Sequence, residues 1–336
     1  MATSRDAALA ILRQNVGFDD PERWVDYAAR HGFRPTAATP VPNCPDCGRA
    51  PAERLGQYVY YSTLIHLMRC GSCHLIWSDV HLDARIVSEH FERAYKDRDY
   101  FRRARAWIFG HLAATIGDLT PRGGSVLDIG GAQGDLMHQV TIRRPDATAV
   151  VQDLSEQSVR YAAEHFDLPT VRGDVGALET HDARYDVVVL SDVLYLEPRI
   201  AAFWAALPGL VKPGGSVIMR VPNRLPLIRA YLALSRLARS LVPGRLQDQI
   251  RFFNPEHIYI LSRRYLTTRL SQLGFASVRV QPSPPLAPCP APERALARLL
   301  FPVSEALSVL SGRALALSSS MLVVATGRPP RLAPGR

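Results

Sequence analysis

The spacing of apolar positions changes period along this chain, and each change marks an element. Between Val126 and Thr326, short apolar runs alternate with stretches of helical period. Val126–Ile129, Ala147–Gln152, Ser216–Val221 and Ser319–Thr326 read as strands, and Thr170–Arg172 as a shorter one. Tyr185–Asp192 is almost fully apolar, as a central parallel strand requires. Helical patterns separate them: one opening at Asp135, one at Ser155–His165 with Ser155 as N-cap, and one closing at Lys212-Pro-Gly-Gly215. Alternation of this kind predicts an α/β sheet over residues 121–328.

Upstream the pattern is different. Asp6–Gln14 and Pro21–His31 read as short helices within a segment 1–41 to which no chemistry is assigned. Gln57–Met68 is aromatic and β-branched enough for a hairpin inside a segment 42–80. Residues 81–120 read as connecting helices over Asp83–Gly117, with Phe91, Tyr95, Tyr100, Phe101 and Trp107 as packing residues.

Size and composition narrow the class. The 336 residues suffice for two domains or one large domain with appendages, and 47% hydrophobic with 21% charged residues fits a globular protein. Met1–Asp6 lacks the basic start and apolar run of a secretory leader, and no uninterrupted apolar stretch of about 18 residues predicts a spanning helix. A cytoplasmic chain is expected. The net charge of +9 is uneven: residues 199–270 hold twelve Arg and Lys against Asp248 and Glu256. Confined basicity invites a polyanion or an anionic lipid surface as partner.

The turn after the first strand carries chemistry. In Val126-Leu-Asp-Ile-Gly-Gly-Ala-Gln-Gly134 a strand runs into glycines and then a helix, which brings backbone N–H groups close to a ligand at a helix N-terminus. A dinucleotide fingerprint fails here because Ala132 stands where Gly-x-Gly needs its second glycine. What remains is Asp128-x-Gly130-x-x-x-Gly134. Asp153, at the end of the second strand, is placed to accept hydrogen bonds from two ribose hydroxyls. Asp174, after the third, could receive an adenine amino group, and Asp192 ends the fourth.

Four cysteines fall as Cys44-Pro-Asp-Cys47 and Cys70-Gly-Ser-Cys73. Each knuckle aims two thiolates at one point, and two knuckles complete a tetrahedral sulfur site for Zn2+. Such a closed site has no open position, so the metal it predicts is structural. His66 and His74 are alternative ligands that the arithmetic does not require. Cys289 stands alone in a proline-rich stretch and reads as inert.

From Arg122 to Val280 this order of motifs resembles the class I S-adenosylmethionine-dependent methyltransferases, with their Rossmann-like seven-stranded sheet. The Cys44–Cys73 ribbon extends the resemblance to a narrower group that includes deoxysugar C-methyltransferases and related small-molecule enzymes. The resemblance implies S-adenosylmethionine as cofactor, held by Asp128, Gly130, Gly131, Gly134, Asp153, Asp174 and Asp192. Relatives in that group often have Cys where this chain has Gly131, and Glu-His where it has Tyr195-Leu196. They carry a Glu-His at the place of Glu256-His257, which makes His257, with Glu256 and Tyr259, the expected proton-removing set. Asp192 and Tyr195 are second choices.

The implied acceptor is a small or carrier-linked metabolite such as a sugar, glycan or natural-product intermediate. An alternating wheel over Leu225–Leu241 sets Arg229, Arg236 and Arg239 opposite Leu227, Tyr231, Leu234, Ala238 and Leu241. Three readings of this helix stand side by side: a lid meeting a phosphorylated acceptor, a helix on an anionic membrane, and a core-packing helix with a solvated face. A helical segment 293–312, interrupted at Pro302, could join the same surface. RNA modification and a non-catalytic donor-binding module are the other functional classes. Against the first, the strand end Leu-Ser-Asp-Val-Leu-Tyr195 lacks the Pro-Pro-aromatic signature of enzymes that methylate nucleic-acid amino groups, and the basic region has few aromatics to stack bases.

Overall fold

A computed structural model describes residues 38–60, 63–82, 98–179, 183–237, 257–286, 291–312 and 318–327. The expected helices at Asp6–Gln14 and Pro21–His31 lie outside these residues, as do Phe91, Tyr95, Arg239, Glu256 and Cys289. The chain divides into two compact units, Met1–His90 with Arg224–Ile260, and Phe91–Asn223 with Leu261–Arg336.

The first unit begins with β1 (Ala38–Pro40), β2 (Glu53–Tyr60), β3 (Thr63–Arg69), β4 (Ile76–Ser78) and β5 (Val80–Leu82). β2 and β3 pair antiparallel with Tyr58 opposite Ile65, the hairpin that the aromatic, β-branched spacer predicts. β1 pairs with β5, and Trp77 donates its indole N–H to the Val41 carbonyl at 2.9 Å, which ties the ends of the unit's first segment together.

In the second unit the chain alternates helix and strand. α1 (Arg98–Leu119) precedes β6 (Ser125–Ile129), then α2 (Asp135–Arg143), β7 (Thr148–Asp153), α3 (Glu156–Phe166) and β8 (Thr170–Arg172) follow. The short α4 (Val175–Glu179), β9 (Tyr185–Ser191), α5 (Ile200–Leu210) and β10 (Val211–Pro222) complete this run. Ser155 caps α3 by accepting from the Ser158 N–H at 3.2 Å, as its sequence position predicts.

The next segment belongs to the first unit. α6 (Leu225–Leu237) and β11 (Tyr259–Ile260) follow, and β11 completes a sheet of order β11-β4-β3-β2. Ile228 and Leu232, one turn apart, are buried among Tyr58, Ile65, Leu67, Ile76 and Ile260. Leu227 and Leu234, on the apolar side of the sequence wheel, are 43% and 65% exposed, because the sheet selects the i, i+4 pair that fits between its side chains, and Leu225 adds to that pair.

The chain then supplies α7 (Arg263–Gln272), β12 (Ser277–Ser283), α8 (Ala291–Leu310) and β13 (Ser320–Thr326) to the second unit. Its seven-stranded sheet has the order β12-β13-β10-β9-β6-β7-β8. β10, β9, β6, β7 and β8 run parallel, and β13 lies antiparallel between β10 and β12. α8 covers most of the helical segment expected at 293–312 and runs through Pro302 without a break. Pro302 is exposed, so water can take up the carbonyl that its missing N–H leaves free.

Ile108, Leu112 and Ile116 of α1 and Leu136 and Val140 of α2 pack on Val187, Val189, Ile218, Leu322 and Val324. Strand alternation carries that face onward to Ser191, Arg220 and Ser320. At the carboxyl ends of β9 and β10 the apolar layer therefore gives way to a polar one.

Candidate donor-binding site

β6 is buried on both sides, so Asp128 enters the interior with it and is 2% exposed. Burial, with the Asp153 charge nearby, pushes the Asp128 carboxyl up to about 8. Its Oδ1 is buried and makes no hydrogen bond within the protein. The chain then turns through Gly130 at φ 68° and Gly134 at φ 82°, and Ala132 also takes a left-handed conformation at 49°. A Cβ on Gly130 would stand 2.5 Å from Cγ2 of Val193, and one on Gly131 would stand 2.8 Å from the Asp128 carboxylate. The backbone is thus bare where it must approach its neighbours most closely.

Asp153 closes the turn from the side. One oxygen accepts from the Ala132 N–H at 2.9 Å and the other from the Ser155 N–H at 2.8 Å. Burial raises its pKa, against the pull of these N–H groups. Gln152 joins the turn to the next loop: its side-chain oxygen accepts from the Gly130 N–H at 3.2 Å and its amide donates to the Gly173 carbonyl. Asp174, one residue on, is exposed, accepts from the Gly176 N–H at 2.8 Å and pairs with Arg199 at 2.8 Å, which hold its pKa down. Asp128, Gly130, Gly131, Gly134 and Asp153 therefore meet at one place, and Gln152 links Asp174 to them. Gln152 was missed from sequence because it reads as one more strand residue.

Asp192 follows β9 in the left-handed region at φ 61°. Its carboxylate is shared by two guanidinium groups, Arg105 of α1 at 2.8 Å and Arg220 of β10. Burial alone would raise its pKa, but Arg220 and Arg105 together hold it below the usual carboxylate range. Arg220 is 3% exposed. It donates to Ser283 Oγ at 3.0 Å, the Pro284 carbonyl at 2.9 Å and Ser320 Oγ at 3.1 Å, which brings β12 and β13 to the same point. Sequence inspection missed Arg105 and Arg220, since one lies on a helix and the other ends an apolar run. His111 of α1 was missed as well: its Nε2 is buried without a hydrogen bond, its ring meets Phe301 edge-on at 6.0 Å, and burial lowers its pKa.

The expected proton-removing residues belong to the other unit. Tyr259 lies in β11, pairs with Trp77 and is 1% exposed. His257, two residues earlier, is also buried. In the same unit Cys44, Cys47, Cys70 and Cys73 have their sulfurs within 4.8 Å of one another, with Cys44–Cys73 and Cys47–Cys70 each at 3.5 Å. Zinc bonded to sulfur at about 2.3 Å places tetrahedral sulfurs about 3.8 Å apart, so this donor set fits the ion. A disulfide, near 2 Å, does not fit these separations. The hydrogen bond with Cys73 lowers Cys44 to about 5 and raises Cys73. His66 instead faces Asp79, Nδ1 to Oδ2 at 2.7 Å.

A family profile described as "Methyltransferase domain" matches residues 97–280, more than half of the chain. The chain belongs to the class I S-adenosylmethionine-dependent methyltransferases. The match covers the glycine turn, Asp153, Asp174 and Asp192 together. Among curated relatives, the methyltransferase domain is 27% identical over 162 residues to a ubiquinone biosynthesis O-methyltransferase of Azoarcus sp., covering 45% of this chain and 64% of that one. It is 33% identical over 116 residues to the ubiquinone/menaquinone biosynthesis C-methyltransferase UbiE of Dinoroseobacter shibae, covering 32% and 46%. The aligned parts thus span less than two thirds of these relatives. A solved S-adenosylmethionine-dependent methyltransferase from Archaeoglobus fulgidus aligns with a TM-score of 0.42 at 18% identity, covering 68% of this chain and 99% of the other.

Proposed function

We propose that this protein moves the methyl group of S-adenosylmethionine to a small or carrier-linked metabolite by in-line displacement. The observation that carries the reading is the unpartnered, buried Oδ1 of Asp128 beside a glycine turn that admits no Cβ. A buried acid left without a donor is costly, and an ammonium such as the donor's amino group would satisfy it. The glycine turn, bare of side chains, lets the backbone approach the donor closely, Asp153 accepts from its ribose hydroxyls, and Asp174 from its adenine amino group.

When bound, the sulfonium supplies an activated methyl group, so the protein must align the acceptor, exclude water and remove a proton. Asp192, held as a carboxylate between Arg105 and Arg220, is a weak proton acceptor and a fixed anchor on the donor side. His257, with Glu256 and Tyr259, is the proposed base. Cys44, Cys47, Cys70 and Cys73 hold a structural Zn2+.

The acceptor class is supported by the relatives, named for O- and C-methylation in quinone biosynthesis, which act on small molecules. Sugars, glycan precursors and natural-product intermediates, some phosphorylated, fall within it. The deciding experiment is calorimetric titration with S-adenosylmethionine, followed by a labelled-donor screen of nucleotide sugars, catechols and polyketide-like acceptors. Saturable donor binding and label transfer to one of these compounds are expected. Absence of donor binding would overturn the family chemistry, and transfer to RNA alone would overturn the acceptor class. A His257→Ala protein with full turnover would remove His257 from the base role.

A further inference from the structure

The polarity of α8 is inverted. Its inward side carries Phe301, Ser304 and Ser308, all buried, and the hydroxyls of both serines are buried without a hydrogen-bond partner. Its outward side carries Leu299, Leu300, Val303, Leu307 and Leu310, which are 70%, 54%, 53%, 39% and 82% exposed. At about 100° per residue these five fall within an arc of about 100°, a continuous aliphatic stripe along three turns. A helix designed only to cover a soluble core does the reverse, burying its leucines and exposing its serines. A stripe this long marks a surface that meets something apolar.

Charge selects the partner. Residues 261–336, which contain α8, hold ten arginines against Glu293 and Glu305 and no other acid. Arg298, at the start of the stripe, is exposed. A second copy of a chain with net charge +9 would be repelled, whereas an anionic lipid surface would be attracted. The stripe is also purely aliphatic, without the aromatic anchors that fix register between proteins, and fluid hydrocarbon needs no such register. Among the described residues no helix is long and apolar enough to cross a membrane, so α8 would lie on a bilayer and not through it.

We infer that α8 is an interfacial helix that seats the protein on an anionic membrane, with the Leu299–Leu310 stripe in the acyl boundary and arginines at the headgroups. The test is flotation of the full chain with phosphatidylcholine–phosphatidylglycerol vesicles and with phosphatidylcholine vesicles, compared with a Val303→Glu/Leu307→Glu protein. Both substitutions fall at exposed positions, and retained S-adenosylmethionine affinity would show that the fold is intact. The wild type is expected to float with the anionic vesicles and to be released by salt, and the variant to bind roughly tenfold more weakly or less. A wild type that stays unbound, or a variant that floats equally well, would overturn the inference. Equal flotation with the neutral vesicles would overturn its anionic part. A salt-resistant dimer in sedimentation velocity, lost in the variant and accompanied by no flotation, would assign the stripe to a second copy instead.

Discussion

Gly130 and Val193 are packed so closely that a single methyl group on the glycine would stand 2.5 Å from the valine Cγ2. The contact joins the first glycine of the turn after β6 to the residue that follows Asp192 after β9. Two loops that together form the carboxyl edge of the sheet are thereby set at a fixed separation, and only glycine permits it.

Gly130→Ala should therefore separate these loops and strain a φ of 68° as well. Titration calorimetry should find S-adenosylmethionine bound about tenfold more weakly or worse, a loss of ~1.4 kcal/mol or more. An affinity equal to that of the wild type would show that the donor does not use this turn.

Arg220 is predicted to matter for stability beyond its charge. Arg220→Met leaves Asp192 buried with Arg105 as its remaining ion-pair partner and orphans the groups that Arg220 now bridges on β12 and β13. Urea unfolding should show a loss of ~3–5 kcal/mol, the range for breaking a buried pair from one side. Arg220→Lys should recover only part of it, because an ammonium cannot span Asp192, Ser283, Pro284 and Ser320 at once.

Asp128 predicts a pH dependence for the ligand-free protein. Its folded pKa of about 8 lies above the ordinary value of about 3.9 in an unfolded chain. The folded state thus retains a proton that the unfolded state releases. The stability this contributes is complete below the unfolded value and is lost as pH rises through the folded one. Melting temperatures measured from about pH 5 to about pH 8 should fall more steeply for wild type than for Asp128→Asn. Parallel curves would mean that the carboxyl is ionised in the folded protein.

The four cysteines predict stoichiometric zinc in protein purified without chelator. Cys44→Ser should lower that content and destabilise the hairpin unit, since one neutral oxygen replaces a thiolate ligand. Elemental analysis with thermal unfolding checks both, and a full zinc content in the variant would count against the site.

Much of this was legible in the sequence because it depends on local chemistry. Asp128, Gly130, Gly134 and Asp153 announce a strand, a turn and the next strand's end, and the second unit assembles them as the pattern implies. The cysteine knuckles converge for the same reason. What was hidden depends on residues far apart in the chain. Arg105 and Asp192 are 87 positions apart, and Arg220 reaches Ser320 across 100. The face that α6 buries was not legible because periodicity gives a direction only when one stripe dominates, and here Ile228 and Leu232 compete with Leu227 and Leu234. Nor did the linear order reveal that Arg224–Ile260 groups with the cysteine-bearing hairpin.

β12 and β13 are adjacent antiparallel strands, paired from Ser277 with Thr326 to Ser283 with Ser320. Whatever leaves the end of one must come back to the start of the other, so the 36 residues between Ser283 and Ser320 form an excursion that begins and ends at one spot. Such a connection can be lengthened, shortened or exchanged without shifting any strand register. The turn after β6 tolerates no added methyl group, while the outward face of this excursion is free to vary in sequence. Evolution or engineering could thus change where the protein docks while leaving intact how it holds its methyl source.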